Sequence, residues 1–375
     1  MAAPRQVYIA VIGVGGVGRC FLSQLAALSD RLSQSPTAPI DLSLIFLSRS
    51  SKVLYSKDYG PLSLQTWEDE LAASTLSQLS LAETVQHLSK APATVILVDN
   101  TSSQDVADAY PLFLKEGINI VTPNKKAFSG SHKLWQDIFA AAAGRGAGQV
   151  FHESSVGAGL PVISTLKELV ETGDEVRKIE GVFSGTMSYL FNGFAPVGGG
   201  GGKFSDEVKK AKELGYTEPD PRDDLNGLDV ARKLTILARL VGLPLESPTS
   251  FPVQSLIPKP LEHVSSGDEF LARLGEFDSD MEQVKKEAEA EAKVIRFVGS
   301  IDVAAKDVKV GLEKFDTSHP IAALKGSDNI ISFYTKRYGD NPLIIQGAGA
   351  GGEVTAMGVT GDLIKVLTST SNKGG

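Results

Sequence analysis

Short apolar runs alternate with helical patterns along the first 150 residues. The runs predict buried strands at 7–12, 42–47, 94–98, 118–121 and 149–153. Apolar positions recur every three or four residues between them, which is typical of amphipathic helices. Strand and helix in alternation indicate an α/β domain built on a parallel sheet, which we place at residues 1–152. We expect loops at 30–40 and 52–66.

The second half of the chain has a different pattern. Strands are predicted at 176–183, 294–301, 308–313 and 330–336, the last three without long helices between them. This grouping indicates an α+β domain, which we place at residues 153–342. The remaining segment, 343–375, runs through a glycine turn into an amphipathic helix. We expect that segment to return to the first domain and complete it.

A glycine motif follows the first predicted strand directly. Gly13-Val14-Gly15-Gly16-Val17-Gly18 lies between that strand and a helical pattern. In a dinucleotide fingerprint, the glycines allow a tight turn, close approach of the pyrophosphate and close helix packing. Glycine turns also serve purely structural roles, but the position after the first strand favours a Rossmann-type cofactor domain.

Polar residues at the ends of the next strands extend this candidate site. Arg49 and Lys52 follow the second strand, where an NAD site usually has an acidic residue, so NADP is favoured over NAD, and use of both stays open. An alternative is that these two are ordinary surface cations. Thr101 and Lys125 follow the third and fourth strands. Thr101 or Ser102 also suits the N-cap of the next helix.

The stretch 213–233 has an unusual charge density, with six carboxylates and one lysine. In the helical pattern that follows, Val230, Leu234, Leu237 and Val241 form one apolar line. Asp229 and Lys233, four residues apart, lie on a line that becomes apolar further along. A lysine turned towards the core needs a partner or a use, so we favour a functional pair over a surface ion pair.

A run of small residues, ESSVGAGLP, begins at Glu153. Such a loop can direct several carbonyl oxygens towards one point and bind a hard cation. A hinge between domains is an equally good interpretation of the same residues. The sequence pattern alone does not choose between them.

Composition narrows the class of protein. The 375 residues are 42% hydrophobic and 22% charged, with a formal net charge of -8 and no basic run, which argues against nucleic-acid partners. One cysteine excludes internal disulfides and cysteine-based metal sites. We see no membrane span and no signal peptide, so we expect a cytoplasmic protein.

Several longer motifs occur in the order found in homoserine dehydrogenases. After the glycine motif come DNTSS, TPNKKAFS, GLPVISTLKEL, GVFSGTMSYLFN, GYTEPDPRDDLNGLDVARKL and GAGAGGEVTA, starting at residues 99, 122, 159, 181, 215 and 347. The chain resembles that family nearly from end to end, and most of all its short, monofunctional fungal form. One departure is Ser188, where many relatives have Asn, and we expect a local effect.

The resemblance implies reversible, NAD(P)H-dependent reduction of L-aspartate 4-semialdehyde to L-homoserine, on the route to threonine and methionine. It also implies a homodimer formed through the sheet of the second domain. The candidate site residues, from the motif match together with the residues' own chemistry, fall into four groups: for catalysis Lys233, Lys125 and Asp229; for substrate Glu218, Asp224, Asp229 and Gly215; for cofactor Gly13, Val14, Gly15, Gly16, Val17, Gly18, Arg49, Thr101, Lys125 and Gly351; for a monovalent cation, by family usage sodium, Glu153, Val156, Ala158 and Leu160.

The chemistry agrees with these roles. Hydride transfer to an aldehyde builds negative charge on its oxygen, which Lys233 as general acid would neutralise.

Another reductase of an amino-acid semialdehyde is the competing enzyme, but the phosphorylating type needs a nucleophilic cysteine, and Cys20 lies in the first helix pattern. A regulatory protein that senses NADP without catalysis is the alternative from another class.

Overall fold

The computed structural model describes residues 4–371, which form eleven strands and fifteen α-helices. The strands are β1 (Arg5–Ile12), β2 (Ile40–Arg49), β3 (Lys52–Tyr55), β4 (Thr94–Asp99), β5 (Asn119–Val121), β6 (Val150–Phe151), β7 (Val176–Val182), β8 (Lys293–Asp302), β9 (Asp307–Asp316), β10 (Asp328–Thr335) and β11 (Leu343–Ala348).

The helices follow the same chain order. They are α1 (Gly16–Ser33), α2 (Trp67–Ala73), α3 (Leu81–Ser89), α4 (Gln104–Asp108), α5 (Tyr110–Lys115), α6 (Lys126–Ser129), α7 (His132–Ala142), α8 (Val162–Glu171), α9 (Gly185–Phe194), α10 (Phe204–Glu213), α11 (Arg222–Leu225), α12 (Leu228–Leu240), α13 (Gly267–Leu274), α14 (Asp278–Glu289) and α15 (Gly352–Ser371).

One compact unit comprises the chain up to Gly159 together with the chain from Gly351 onward. Its sheet has the order β3-β2-β1-β4-β5-β6, and all neighbours except β2 and β3 run parallel. The order reverses between β1 and β4, which is the point where doubly wound sheets bind ligands. The predicted Rossmann-type sheet is therefore confirmed.

Two predicted loops of this unit are partly regular. Within 52–66, the residues Lys52–Tyr55 form β3, which pairs antiparallel with the end of β2 and buries Val53. Within 30–40, helix α1 continues to Ser33. Both predictions were wrong at these positions because a short edge strand and the last helical turn depend on neighbouring elements rather than on local periodicity.

The core of this unit joins the two ends of the chain. Residues of β1, α1 and β2 form one buried cluster with Ala356, Val359, Leu363 and Val366 of α15. Arg5 also donates a hydrogen bond to the carbonyl oxygen of Leu367 at 2.8 Å. Helix α15 therefore contributes to the core of this unit.

The other compact unit runs from Leu160 to Ala350 and contains an antiparallel sheet of order β11-β10-β7-β8-β9. Helices α9, α12 and α14 pack on β8. The α+β architecture is as expected, but the boundary is not at 342. Leu343–Ala348 pairs with β10 over six residues, so this segment belongs to the antiparallel sheet rather than to the cofactor domain.

The turn between β1 and α1 is held by backbone contacts that leave no room for a side chain. Gly13 has φ +91°, and its amide donates to the carbonyl oxygen of Ser48 at 2.9 Å. A Cβ on Gly18 would lie 2.2 Å from the carbonyl oxygen of Gly13. In contrast, a Cβ on Gly15 or Gly16 would meet nothing within 4 Å, so the start of α1 faces open space.

We therefore expect Gly18→Ala to lower the free energy of unfolding by about 1–3 kcal/mol, because the added methyl group displaces the Gly13 carbonyl. Gly361→Ala is the matched control: it lies in α15, where a Cβ would meet nothing within 4 Å, and should raise stability by up to about 1 kcal/mol. Urea denaturation of both variants measures the difference. Equal stabilities would contradict the close packing at Gly18.

Candidate active site

The polar residues after β4 and β5 form a buried network beside the glycine turn. Asp99 is fully buried and accepts hydrogen bonds from Tyr110 at 2.5 Å and from the side-chain amide of Asn124 at 3.1 Å. The Thr122 hydroxyl donates to the Asp99 carbonyl at 2.8 Å. Burial, and then the nearby charge of Asp99, hold the pKa of Tyr110 well above its usual value. This network ties the ends of both strands together.

Thr101 lies against the glycine turn. Its methyl carbon would be 2.7 Å from a Cβ on Gly13, and its hydroxyl accepts the amide of Ser103 at 3.1 Å. The N-cap of α4 is Ser103, whose side chain accepts the amide of Val106, and neither Thr101 nor Ser102 has that role. Thr101 therefore lies at the carboxyl-terminal edge of the sheet, beside the glycine turn.

The neighbouring Asn100 was missed by sequence reasoning. Both atoms of its side-chain amide are buried, and neither has a hydrogen-bond partner within residues 4–371. The amide nitrogen would be 3.7 Å from a Cβ on Gly18. Because unpaired buried amides are costly, a polar ligand at the glycine turn is the natural partner. With the open space before α1, this orphaned amide fits a bound dinucleotide.

The other cofactor candidates of this unit occupy different positions. Arg49 is the exposed last residue of β2, whereas the ammonium of Lys52 donates to the carbonyl of Ser74 at 2.8 Å. Lys125 is half-buried at the N-cap position of α6, just after β5. Gly351, with φ +118°, precedes α15, and its carbonyl accepts the amide and the hydroxyl of Thr355.

The loop after β6 has a strained backbone. Glu153–Ser155 is a single 3-10 turn, and Gly157 and Ala158 both have positive φ, +77° and +53°. A left-handed conformation at alanine costs energy and is found most often at functional sites. The Glu153 amide donates to Asp362 at 2.7 Å, and the Glu153 carboxylate lies 3.3 Å from Lys365. Helix α15 thus anchors this loop.

Further observations concern the loop that carries the cation candidates and the residues around it. The carbonyl of Leu160, in the other unit, accepts the amide of Val162 at 2.8 Å. Burial raises the pKa of Asp362 above its usual value, although Lys365 opposes the shift. Across residues 4–371, no three side chains of His, Cys, Asp or Glu are grouped as a metal site. The ligands expected from the sequence are backbone carbonyl oxygens, which suit a hard cation.

Helix α12 carries the predicted pair, Asp229 and Lys233. The residue at which this helix begins sets the direction of both side chains. Gly227 has φ +74° and separates α11 from α12, so the helix begins at Leu228 rather than earlier. Val230, Leu234 and Leu237 are buried as the periodicity predicts. Lys233 is only 7% exposed, while the Asp229 side chain is 44% exposed. The lysine therefore points into the protein and the aspartate lies at its rim.

The described contacts of the Lys233 ammonium include two oxygens. It lies 2.8 Å from Asp229 Oδ2 and donates to the carbonyl of Phe183, just after β7, at 2.6 Å. The carbonyl partner could not be read from any sequence motif. An ammonium oriented in this way, beside an ionised carboxylate, can donate a proton to an oxygen that becomes negative.

Asp224 organises the acidic loop that precedes α12. Its Oδ2 accepts the backbone amide of Glu218 at 2.8 Å, and its Oδ1 contacts the hydroxyl of Thr186 at 2.9 Å. The Glu218 side chain and Gly215 are exposed, and Gly215, with φ +74°, follows the end of α10 as predicted. Burial raises the pKa of Asp224 above its usual value, and the charges of Glu218 and Asp229 add to the shift. The hydrogen bonds from the Glu218 amide and from the Thr186 hydroxyl oppose it.

Three other expectations concern Cys20, Ser188 and membrane-spanning helices. Cys20 lies in α1 and is half-buried, as the sequence indicated. Ser188, the departure from the motif, is buried in α9 and accepts the Asn192 side-chain amide at 3.4 Å. None of the helices in the described part of the chain is both long and apolar enough for a membrane crossing.

Comparisons with known proteins agree with this arrangement. A family model described as homoserine dehydrogenase matches residues 161–364, and one described as homoserine dehydrogenase, NAD binding domain, matches residues 13–152. The chain is 58% identical to a homoserine dehydrogenase of Emericella nidulans, over 98% of this chain and 99% of that one. It is 56% identical to that of Saccharomyces cerevisiae, over 96% and 98% of the two chains.

Solved structures are similar over the same extent. A Candida auris protein of unknown function has a TM-score of 0.90 at 50% identity and covers 97% of this chain and 99% of its own. A hyperthermophilic archaeal homoserine dehydrogenase solved in complex with NADPH shares the fold, with a TM-score of 0.71 at 24% identity and 97% and 98% coverage. This chain belongs to the homoserine dehydrogenase family of NAD(P)-dependent oxidoreductases.

Proposed function

We propose that this family member reduces L-aspartate 4-semialdehyde to L-homoserine reversibly, with Lys233 as the general acid. The observation that carries the proposal is the buried Lys233 ammonium, oriented by the Asp229 carboxylate and the Phe183 carbonyl. A buried lysine is costly unless it is paired or used, and this one lies in the most specific motif of the family.

The chemical step needs one hydride and one proton. When bound at the Gly13–Gly18 turn, a nicotinamide dinucleotide would supply the hydride for the aldehyde carbon. Lys233 stabilises the negative charge that develops on the aldehyde oxygen and transfers a proton to it, which yields the alcohol. Asp229 keeps the ammonium charged and aimed, and it takes the same part when the reaction runs in reverse.

The substrate also carries its own ammonium group, which favours carboxylates. We assign its binding to Glu218 and Asp224 with Asp229 at the rim, and we place Gly215 in the same substrate group. The exposed Glu218 side chain and the half-buried Asp224 are joined through the Glu218 amide, so the two carboxyl groups belong to one loop. Two carboxylates on one short loop suit a single cationic group.

For the cofactor we propose the turn from Gly13 to Gly18, with Thr101, Lys125 and Gly351. The space in front of Gly15 and Gly16 and the orphaned Asn100 amide support this assignment. Arg49 would bind a 2′-phosphate, which makes NADP the favoured cofactor, with NAD also accepted. We further propose Lys125 as a contributor to catalysis.

A monovalent cation, sodium by family usage, is proposed at the carbonyls of Glu153, Val156, Ala158 and Leu160. Support comes from the consecutive positive φ angles at Gly157 and Ala158 and from the anchoring of Glu153 by Asp362. The residues fit such an ion because carbonyl oxygens are its preferred ligands. The cation would stabilise the loop rather than take part in proton transfer.

Assembly and location complete the proposal. Strand β11 lies at the edge of the antiparallel sheet and exposes Ile344, which supports a homodimer formed through that sheet. Ile344→Glu should then shift the sedimentation coefficient from that of a dimer to that of a monomer, while Leu112→Glu, at an exposed residue of the other unit, should not.

A single cysteine agrees with a cytoplasmic location.

We predict homoserine-dependent formation of NADPH from NADP by the wild-type chain. Lys233→Ala should lower kcat by about 10²–10⁴-fold, the usual contribution of a general acid, while cofactor binding is retained. Lys210→Ala is the matched control, because Lys210 is exposed on α10 in the same unit. Absorbance assays of NADPH formation with both variants measure the change in kcat.

Two results would contradict this proposal in different ways. Full turnover by Lys233→Ala would remove the general-acid role but leave the activity. A folded wild-type chain that forms no NADPH with homoserine would refute the activity itself.

We also predict that activity and melting temperature fall together when sodium and potassium are replaced by choline at constant ionic strength. The physical reason is that the left-handed backbone at Ala158 loses the ion that offsets its strain. Readdition of sodium should restore both. Unchanged activity and melting temperature after exhaustive exchange would count against a required cation.

A further inference from the structure

The side chain of Asn329, near the start of β10, is buried without a partner. It is 1% exposed, and neither atom of its amide has a hydrogen-bond partner within residues 4–371. A buried amide usually makes several hydrogen bonds, because each one left unmade costs the water that the group has lost. Such a residue in a folded protein needs a physical explanation.

Asn329 lies against a turn of the backbone. Strands β10 and β11 pair as far as Asp328 with Ala348, and the next residue, Gly349, is buried. A Cβ on Gly349 would lie 2.0 Å from Asn329 Nδ2, so only glycine lets the backbone approach the amide this closely. In the described part of the chain, neither the amide nor the carbonyl of Gly349 forms a hydrogen bond.

The unpaired groups on the two sides complement each other. The Asn329 side chain offers two donor hydrogens and an acceptor oxygen, and the peptide groups of Gly349 offer one donor and one acceptor. The two residues meet on the side where Gly349 lacks a side chain. A rotation of the turn would bring their polar atoms together, and the glycines at 347, 349 and 351 can absorb it because they have no Cβ.

The turn lies at the end of the sheet that carries the proposed catalytic group. Strands β10 and β7 pair as far as Val182, so the register places Asn329 beside the next residue, Phe183. The Phe183 carbonyl accepts the ammonium of the proposed general acid. A Cβ on Gly185, the first residue of α9, would lie 4.0 Å from the Ala350 side chain of the turn.

We propose that Asn329 is a positioning residue for the cofactor. When the nicotinamide dinucleotide is bound, the Asn329 amide hydrogen-bonds to the peptide groups of Gly349 and fixes the turn from Gly347 to Ala350. The inference rests on the proposed function in that Gly351, the next residue, is assigned to the cofactor. Pairing of the two buried groups favours the bound conformation, because the cost of leaving them unpaired is removed.

The first test compares the truncation of two buried asparagines. Asn119, in β5, is 4% exposed, but its side chain donates to the Val95 carbonyl and accepts the Gln149 amide, both at 3.0 Å. Asn119→Ala leaves both partners unpaired and should lower the melting temperature by about 3–8 °C. Asn329→Ala removes an unpaired amide and should lower it by less than about 1 °C, or raise it.

Scanning calorimetry without cofactor measures both melting temperatures. A loss in Asn329→Ala as large as that in Asn119→Ala would show that the Asn329 amide is already paired in the free protein. That result would overturn the proposal.

The affinity for NADPH tests the positioning role. Asn329→Ala should raise the Kd of NADPH by about 10-fold, the equivalent of about one hydrogen bond, as measured by the fluorescence of the cofactor. Ser332→Ala is the matched control, because Ser332 is buried in the same strand on the opposite face of the sheet. An unchanged Kd in Asn329→Ala, or an equal rise in both variants, would contradict the role.

Hydrogen exchange followed by mass spectrometry locates the effect in the turn. NADPH alone should slow exchange of the amides at 347–350 in the wild type and leave it fast in Asn329→Ala. Slowing in both proteins would mean that the cofactor orders the turn without Asn329, and slowing that also requires homoserine would mean that the substrate orders it. Either result would refute the proposal.

None of these measurements involves turnover. They therefore remain decisive for Asn329 even if the chain forms no NADPH with homoserine. A folded wild-type chain that does not bind NADPH would refute the proposed cofactor site and this role with it.

Discussion

The burial of one ammonium group constrains the arrangement of the unit that contains it. Lys233 lies inside the protein, where Asp229 and the Phe183 carbonyl replace water that it loses. The carbonyl must come from the end of β7, and the carboxylate from the preceding turn of α12. The Lys233 ammonium therefore links the antiparallel sheet, the start of α9 and the rotational position of α12.

A second set of contacts extends this linkage to the acidic loop. The short helix α11 ends before Gly227, whose left-handed backbone lets α12 begin in a new direction. Thr186, in the first turn of α9, contacts both Asp224 and the Tyr216 carbonyl. The proton donor and the carboxyl that we assign to substrate binding thus depend on the same few strand and helix ends, so a shift of α9 would disturb both.

The sequence predicted most of the fold because most of it is local. Alternating apolar runs and helical patterns identified the parallel sheet, and the glycine motif identified its turn into α1. The errors fell where pairing partners decide: Lys52–Tyr55 is a strand because β2 lies beside it, and Leu343–Ala348 is one because β10 does. Neither segment has a periodicity that distinguishes it from an extended loop.

The sequence by itself determined that Asp229 and Lys233 share a helix face and that this face turns inward, because both follow from helical spacing. Only the tertiary structure decided which groups contact this pair and which contact the acidic loop before it. The Phe183 carbonyl and the Thr186–Asp224 contact involve a backbone atom or a hydroxyl direction, which have no sequence pattern. Those groups come from segments distant in the chain, and only packing brings them within hydrogen-bonding distance.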